Sequence, residues 1–260
     1  MKRFLIGCLF FVVIVPGLWI VAVPESLLVN LVEGATKDGD IRIEAADVDK
    51  GLFFNFTFGS ILLRDNDKTL LVLKNVEGKI NPLSLLVLRL DLIFSGDVSG
   101  GKMTGKIDLF RGKRNAAITI DGADVGEVPF FALLGIEGRG ALSGEMKLKG
   151  TTGDIKFLIR EARFSPGKFG GVTVPLDVFS TARGALSVAG KTVRITSFAL
   201  EGDGIYARLS GDITGGRMNL TLELMPEKSF KDRNFIFIAL EKYKASPGHY
   251  SIPINDVLPL

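Results

Sequence analysis

Cysteine is almost absent from this chain. Cys8 is the single one among 260 residues, which excludes an intrachain disulfide and a thiolate-rich metal site. Histidine is equally scarce. His249 stands alone, and a Ser-His-Asp relay through it would need Ser246 or Ser251 together with Asp256. Its place in a Pro-Gly turn near the C-terminus reads instead as a solvated imidazole. No charge of one sign dominates: 32 basic and 29 acidic residues leave a net charge of +3. They are interspersed, and without a basic block nucleic acid is not an expected partner. Tyrosine and tryptophan are few, three and one, against 19 phenylalanines. Phenylalanine has no hydrogen-bonding handle, so this aromatic content suits buried or lipid-like surroundings. No pair of carboxylates has a spacing that selects a general acid and a general base. An enzyme is therefore not expected, and neither is a cofactor or a metal. No linker, charge block or low-complexity stretch divides residues 24–260, which read as one domain.

What is abundant is apolar sequence, with 47% hydrophobic residues and a mean hydropathy of +0.31. Part of it is concentrated at the start. Lys2 and Arg3 precede an uncharged run over residues 4–23, and about 20 apolar residues suffice to cross a bilayer. The paired cations predict a cytoplasmic N-terminus and a span ending near Trp19, whose ring suits the far interface. Phe4, Phe11 and Trp19 are the aromatic residues of this expected anchor, and Pro16 is tolerated within it. A cleaved signal peptide is the rival reading, but residues 19–24 read Trp-Ile-Val-Ala-Val-Pro, without the small-x-small pattern of a cleavage site. Leu5-Ile6-Gly7-Cys8 resembles a lipoprotein box, yet too few residues separate it from Arg3 to form an apolar signal core. Residues 1–23 thus read as stub and anchor, and 24–260 as the domain beyond the membrane.

The rest of the apolar sequence alternates with polar residues. Over residues 138–150 the even positions hold Gly138, Gly140, Leu142, Gly144, Met146, Leu148 and Gly150, and the odd ones are polar apart from Ala141. Period two predicts a strand with one greasy and one wet face. The rhythm returns in Phe54-Phe56-Phe58, in Ile205-Ala207-Leu209, and in Met218-Leu220-Leu222-Leu224. It is also read in Val193-Ile195-Ser197-Ala199. The 31 glycines supply the turns that so many strands need. The expected fold is mainly β: an N-terminal transmembrane helix followed by a long twisted antiparallel sheet with a few short helices. Leu142, Met146, Leu148, Leu209, Leu220, Leu222 and Leu224 are expected on one apolar face, either a closed core or an open groove.

Helices are expected in few places. Pro24 opens one whose face is Leu27, Leu28, Leu31 and Val32. Asn81-Pro82 opens another, with asparagine as N-cap. A short greasy helix or loop follows Pro129. Residues 229–243 read as a single helix with Ser229 as its cap, and residues 165–171 read as a loop. Gly138-Arg139-Gly140 with Gly144 is a poor phosphate loop, because its spacing departs from G-x-G-x-x-G and the alternation runs through it. Asp65-Asn66-Asp67 lacks the glycine and glutamate of a calcium loop and reads as a hairpin turn. The triplets at Asn55 and Asn219 match a glycosylation acceptor but fall within expected strands.

Two stretches together resemble a known family. The apolar N-terminus, the helix after it and the strands through Asn81-Pro82 resemble the start of AsmA-like envelope proteins. Residues 122–150, with the strand, proline, helix and Gly-His-Tyr-Ser-Ile-Pro-Ile of the C-terminal part, are similar to bacterial type II secretion system protein N. The tail departs from that pattern, with Asn255-Asp256 where a glycine-centred turn is expected. The resemblance implies an inner-membrane-anchored periplasmic protein, an accessory of the type II secretion apparatus that works through contacts with other secretion proteins. It implies, as the alternative, an AsmA-like β-groove that shields lipid acyl chains. It brings no catalytic residue.

Overall fold

The computed structural model describes Trp19 and residues 23–34, 41–169, 172–233 and 236–257. It is mainly β, with 14 strands in an antiparallel sheet and a few short helices. The strands are β1 (Ile41–Lys50), β2 (Asn55–Asp65), β3 (Lys68–Ile80), β4 (Arg89–Val98), β5 (Gly101–Phe110), β6 (Lys113–Asp124), β7 (Gly138–Lys149), β8 (Thr152–Phe164), β11 (Phe179–Ala189), β12 (Thr192–Gly202), β13 (Ile205–Thr214), β14 (Arg217–Pro226), β15 (Lys244–Ser246) and β16 (His249–Val257). A separate two-stranded hairpin comprises β9 (Gly167–Phe169) and β10 (Val172–Val174), so part of the expected loop over 165–171 is strand. The helices are α1 (Glu25–Gly34), α2 (Pro82–Leu85), α3 (Pro129–Leu133), α4 (Lys228–Arg233) and α5 (Ile236–Ala239). By their contacts the residues form two compact units, residues 1–98 with 103–114 and residues 99–102 with 115–260. No shift in composition marks this division.

The first unit is built on phenylalanine packed over glycine. Phe56 and Phe58 point to one side of β2, opposite Gly78 and Val76 of β3. A Cβ on Gly78 would lie 2.2 Å from the Phe56 ring, and one on Gly105 would lie 2.3 Å from the Phe94 ring. Each bare backbone gives the neighbouring ring a flat seat, an arrangement that also fixes register. Helix α1 packs on β1, and its Leu28 completes the cluster of Trp19, Phe54, Phe56, Phe58, Val76 and Ile80. Leu27, expected on the same face, is half exposed, because the helix turns only a narrow stripe to the sheet.

Asn81 caps α2 as the sequence predicts: its side-chain oxygen accepts the Leu83 N–H at 3.1 Å. The chain enters β4 through Arg89, whose Nε and Nη2 donate to Asp108 at 2.9 and 2.6 Å. These hydrogen bonds hold the Asp108 carboxyl below the usual carboxylate range, partial desolvation opposing and the charges of Arg89 and Lys106 assisting.

In the second unit, residues 229–243 do not form a single helix. Helix α4 begins at Lys228, so Ser229 lies inside it, and after α5 the chain tightens into a 3-10 turn over Glu241–Tyr243. This 3-10 turn leads directly into β15, which starts at Lys244.

Two outcomes test these contacts. Gly78→Val should destabilise the protein by about 1–3 kcal/mol, read from its urea midpoint, because the Phe56 ring has nowhere to go. Acidification should separate wild type from Arg89→Gln. A depressed carboxyl stabilises the fold above its ordinary pKa and loses that contribution as pH falls through the lowered one. The urea midpoint of wild type should therefore fall more between neutral pH and about pH 3 than that of the variant.

Candidate functional site

Ladder register in the second unit collects apolar side chains into lateral rows on one face of the sheet. The innermost row runs Ala123, Leu142, Ile159, Ala182, Leu200, Ala207, Leu224 and Tyr250. The next runs Ile120, Gly144, Phe157, Gly184, Phe198, Leu209, Leu222 and Ile252. A third holds Ile118, Met146, Ile155, Leu186, Ile195, Gly211, Leu220 and Ile254, and a fourth includes Leu148, Val188, Val193, Ile213 and Met218. Leu142, Met146, Leu148, Leu209, Leu220, Leu222 and Leu224 all stand in these rows.

Alternation alone would not have produced this face. β-Bulges in β6 between Ile120 and Ala123, in β8 beyond Ile159, and in β12 between Ile195 and Phe198 each add one residue. One extra residue reverses which parity points inward. Phe198 and Leu200 of β12 therefore join Ile195 on the apolar face, in place of the Ser197 and Ala199 expected from strict period two. Glu161, at the β8 bulge, has a φ of 52°, a left-handed conformation suited to such a site.

The opposite face carries charge. Arg183 pairs with Glu201, Nη2 to Oε1, at 2.5 Å, Arg194 with Asp212 at 2.9 Å, and His249 Nε2 lies 3.5 Å from Glu223. The hydrogen bond from Arg194 to Asp212 raises the pKa of the guanidinium further. The two arginine pairs are exposed and contribute little to stability, whereas His249 and Glu223 are half-buried, so this imidazole is not the solvated one expected from the sequence. The arginine pairs do keep that face wet.

Burial along the apolar face is uneven. The innermost row is buried wherever it crosses the unit, and Ile195, Leu220, Leu222, Ile252 and Ile254 keep the outer rows buried along β12, β14 and β16, whereas Ile118, Met146, Leu148, Ile155, Leu186, Val188 and Ile213 are only half-buried. The connections explain the difference. At the innermost end the chain makes its long crossings, and they bring buried Val125 and Val128, Val174 and Leu176, and Phe230, Phe237 and Leu240. Phe237 packs its ring 5.2 Å from that of Tyr250, and Phe230 lies 6.1 Å from Phe237. At the other end are tight turns through Gly150, Gly190 and Gly215-Gly216, all at positive φ, and none of their residues is among the buried apolar side chains. The face is closed at one end and half-exposed at the other.

No family model, curated protein or solved structure matches this chain. The reading of the site therefore stands on its geometry. Among the described residues no group of three or more His, Cys, Asp or Glu side chains is placed to hold a metal ion. A recess of about 20 Å³ in the first unit, between Leu28 and Val32 of α1 and Phe56, Phe58 and Ile80, has room for about one water and no polar lining. It is a packing gap.

Phe4 and Phe11 lie outside the described residues, and no helix among the described residues is long and apolar enough to cross a membrane. Trp19 is described. It is 4% exposed, its ring lies tilted 5.0 Å from that of Phe54 and its indole N–H donates to the Gly51 carbonyl at 3.1 Å, which places it in the core of the first unit and not at the membrane interface expected for it. Sequence reasoning missed the closing residues Val174, Leu176, Phe230 and Phe237, since only their burial distinguishes them from other apolar residues in connections.

Aspartate substitutions should report the uneven burial. Leu222→Asp, at a position 4% exposed, should cost about 4 kcal/mol or more and leave little folded protein. Met146→Asp, where water reaches the carboxylate, should cost about 1–2 kcal/mol and leave a cooperative urea transition.

Proposed function

We propose that this protein is a non-enzymatic lipid-handling module, anchored in the inner membrane by its apolar N-terminal segment and holding acyl chains against the half-buried apolar rows of its second unit. The observation that carries this reading is the run of apolar rows across β6, β7, β8 and β11, buried in the innermost row and half-buried beyond it. An apolar surface of that breadth on a soluble face marks a ligand groove or an interface. Acyl chains suit it because the half-buried rows offer methyl, methylene and phenyl groups, the Tyr250 hydroxyl lying in the buried innermost row. The polar face behind them presents ion pairs to water. The resemblance to AsmA-like envelope proteins supports the same choice. The role in type II secretion that the resemblance also implies is a separate proposal on the same scaffold. A deletion strain that loses secreted enzymes while its envelope lipids stay unchanged would select it.

The groove reading is tested by photo-crosslinking in cells, with p-benzoylphenylalanine at position 146 on the apolar face or 145 on the polar face. Lipid adducts should form at 146 and be scarce at 145. Equal yields at both positions, or protein adducts alone at 146, would overturn the proposal.

A further inference from the structure

We infer that one tip of the first unit, formed by residues 51–54 and 82–88, inserts into the surface of the lipid bilayer from which the apolar N-terminal segment emerges. Leu86 and Leu88 are 71% and 88% exposed, and Leu52, Phe53, Leu83 and Val87 are each more than half exposed. Singly exposed leucines are ordinary; six large apolar side chains on two neighbouring connections are not.

The two connections share one end of the unit. Asn55 pairs with Lys79 and Ile80 with Leu92, so the β1–β2 turn and the β3–β4 crossing leave the sheet together. The Ile80 N–H donates to the Phe54 carbonyl at 3.0 Å, and the Asn81 N–H to Asp91 at 2.9 Å. The chemistry of both connections suits a nonaqueous boundary. Neither 51–54 nor 82–88 contains a charged residue. Several backbone donors in and beside them are met locally: Gly51 N–H by Asn55, Asn55 N–H by Leu52, Ser84 N–H by Asn81, Val87 N–H by Ser84 and Leu88 N–H by Leu85. The Ser84 hydroxyl donates to the Asn81 carbonyl at 2.7 Å. Polar groups that need no water are what entry into lipid demands. Phe53 and Leu88 also hold φ at 57°, an unfavourable conformation for bulky side chains. Strain that aims apolar groups at solvent points to an occupant other than water.

The position of the N-terminal segment identifies that occupant. The uncharged run of residues 4–23 ends at this same tip, where Trp19 is tied to Gly51 and the Lys50 ammonium donates to the Val23 carbonyl at 2.6 Å. This inference rests on the membrane anchor proposed above: with the part of the run before Trp19 in the bilayer, the tip is held at the interface, where leucine and phenylalanine side chains partition favourably. The inference is independent of what occupies the apolar face of the second unit.

The full chain, with Cys8→Ser and a single Phe53→Cys, Leu86→Cys or Asp67→Cys, is labelled with an environment-sensitive fluorophore and reconstituted into phosphatidylethanolamine–phosphatidylglycerol vesicles. Asp67 lies in the β2–β3 turn, at the far end of the same hairpin and roughly 30 Å away by strand rise. Brominated lipid should quench the labels at 53 and 86 several-fold more than the label at 67, and aqueous iodide should quench in the reverse order. Equal lipid quenching at all three positions overturns the inference. So do labels at 53 and 86 that are shielded from iodide but untouched by brominated lipid, which would mean that protein covers the tip.

Discussion

Strand register is the constraint on which the rest of this structure depends. In an antiparallel ladder a slip of one residue exchanges the two faces, and here the faces differ completely, ion pairs on one and apolar rows on the other. Each hairpin in the second unit is therefore held by its neighbours on both sides. Glycine seats assist: Phe157 and Phe198 flank Gly184, their rings 5.7 Å apart, and a Cβ at Gly184 would meet Phe157 at 2.5 Å. A side chain there would displace both rings. The bulges in β6, β8 and β12 correct the parity wherever the sequence falls out of step.

The second consequence of the ladder is an asymmetry between the ends of the second unit. Tight turns through glycine cost little chain and cover nothing. Long connections can fold back, and those that do bury valine, leucine and phenylalanine over the innermost row. The same strands thus pass from a sealed core to an accessible apolar surface along their own length. A single sheet layer can combine a stable fold with a surface for apolar ligands in this way, because core and binding face are parts of one continuous set of side chains.

The first unit solves a different problem. Its helix α1 and the ring of Trp19 cover the phenylalanines of β2, so its face is packed. Its most exposed apolar residues are gathered in the connections at one end. The clamp between Arg89 and Asp108 fixes the point at which the apolar crossing rejoins the sheet, so the exposed leucines are presented from a firm base.

The period-two pattern in the sequence determined the strand content, the residues of the apolar face in β7, β13 and β14, and the capped helix at Asn81-Pro82, because each is a local consequence of side-chain alternation or capping chemistry. Local pattern could not place the bulge that turns Phe198 and Leu200 inward, since an extra residue is visible only against a partner strand. Nor could it separate the buried Leu222 from the half-exposed Met146, two similar residues on the same face whose difference lies in which connections fold above them. The end of residues 229–243 as a 3-10 turn, the burial of Phe230 and Phe237 against Tyr250, and the gathering of residues 51–54 and 82–88 at one tip were likewise decided by tertiary structure. Burial depends on what the rest of the chain brings to a position, and no window of sequence contains that.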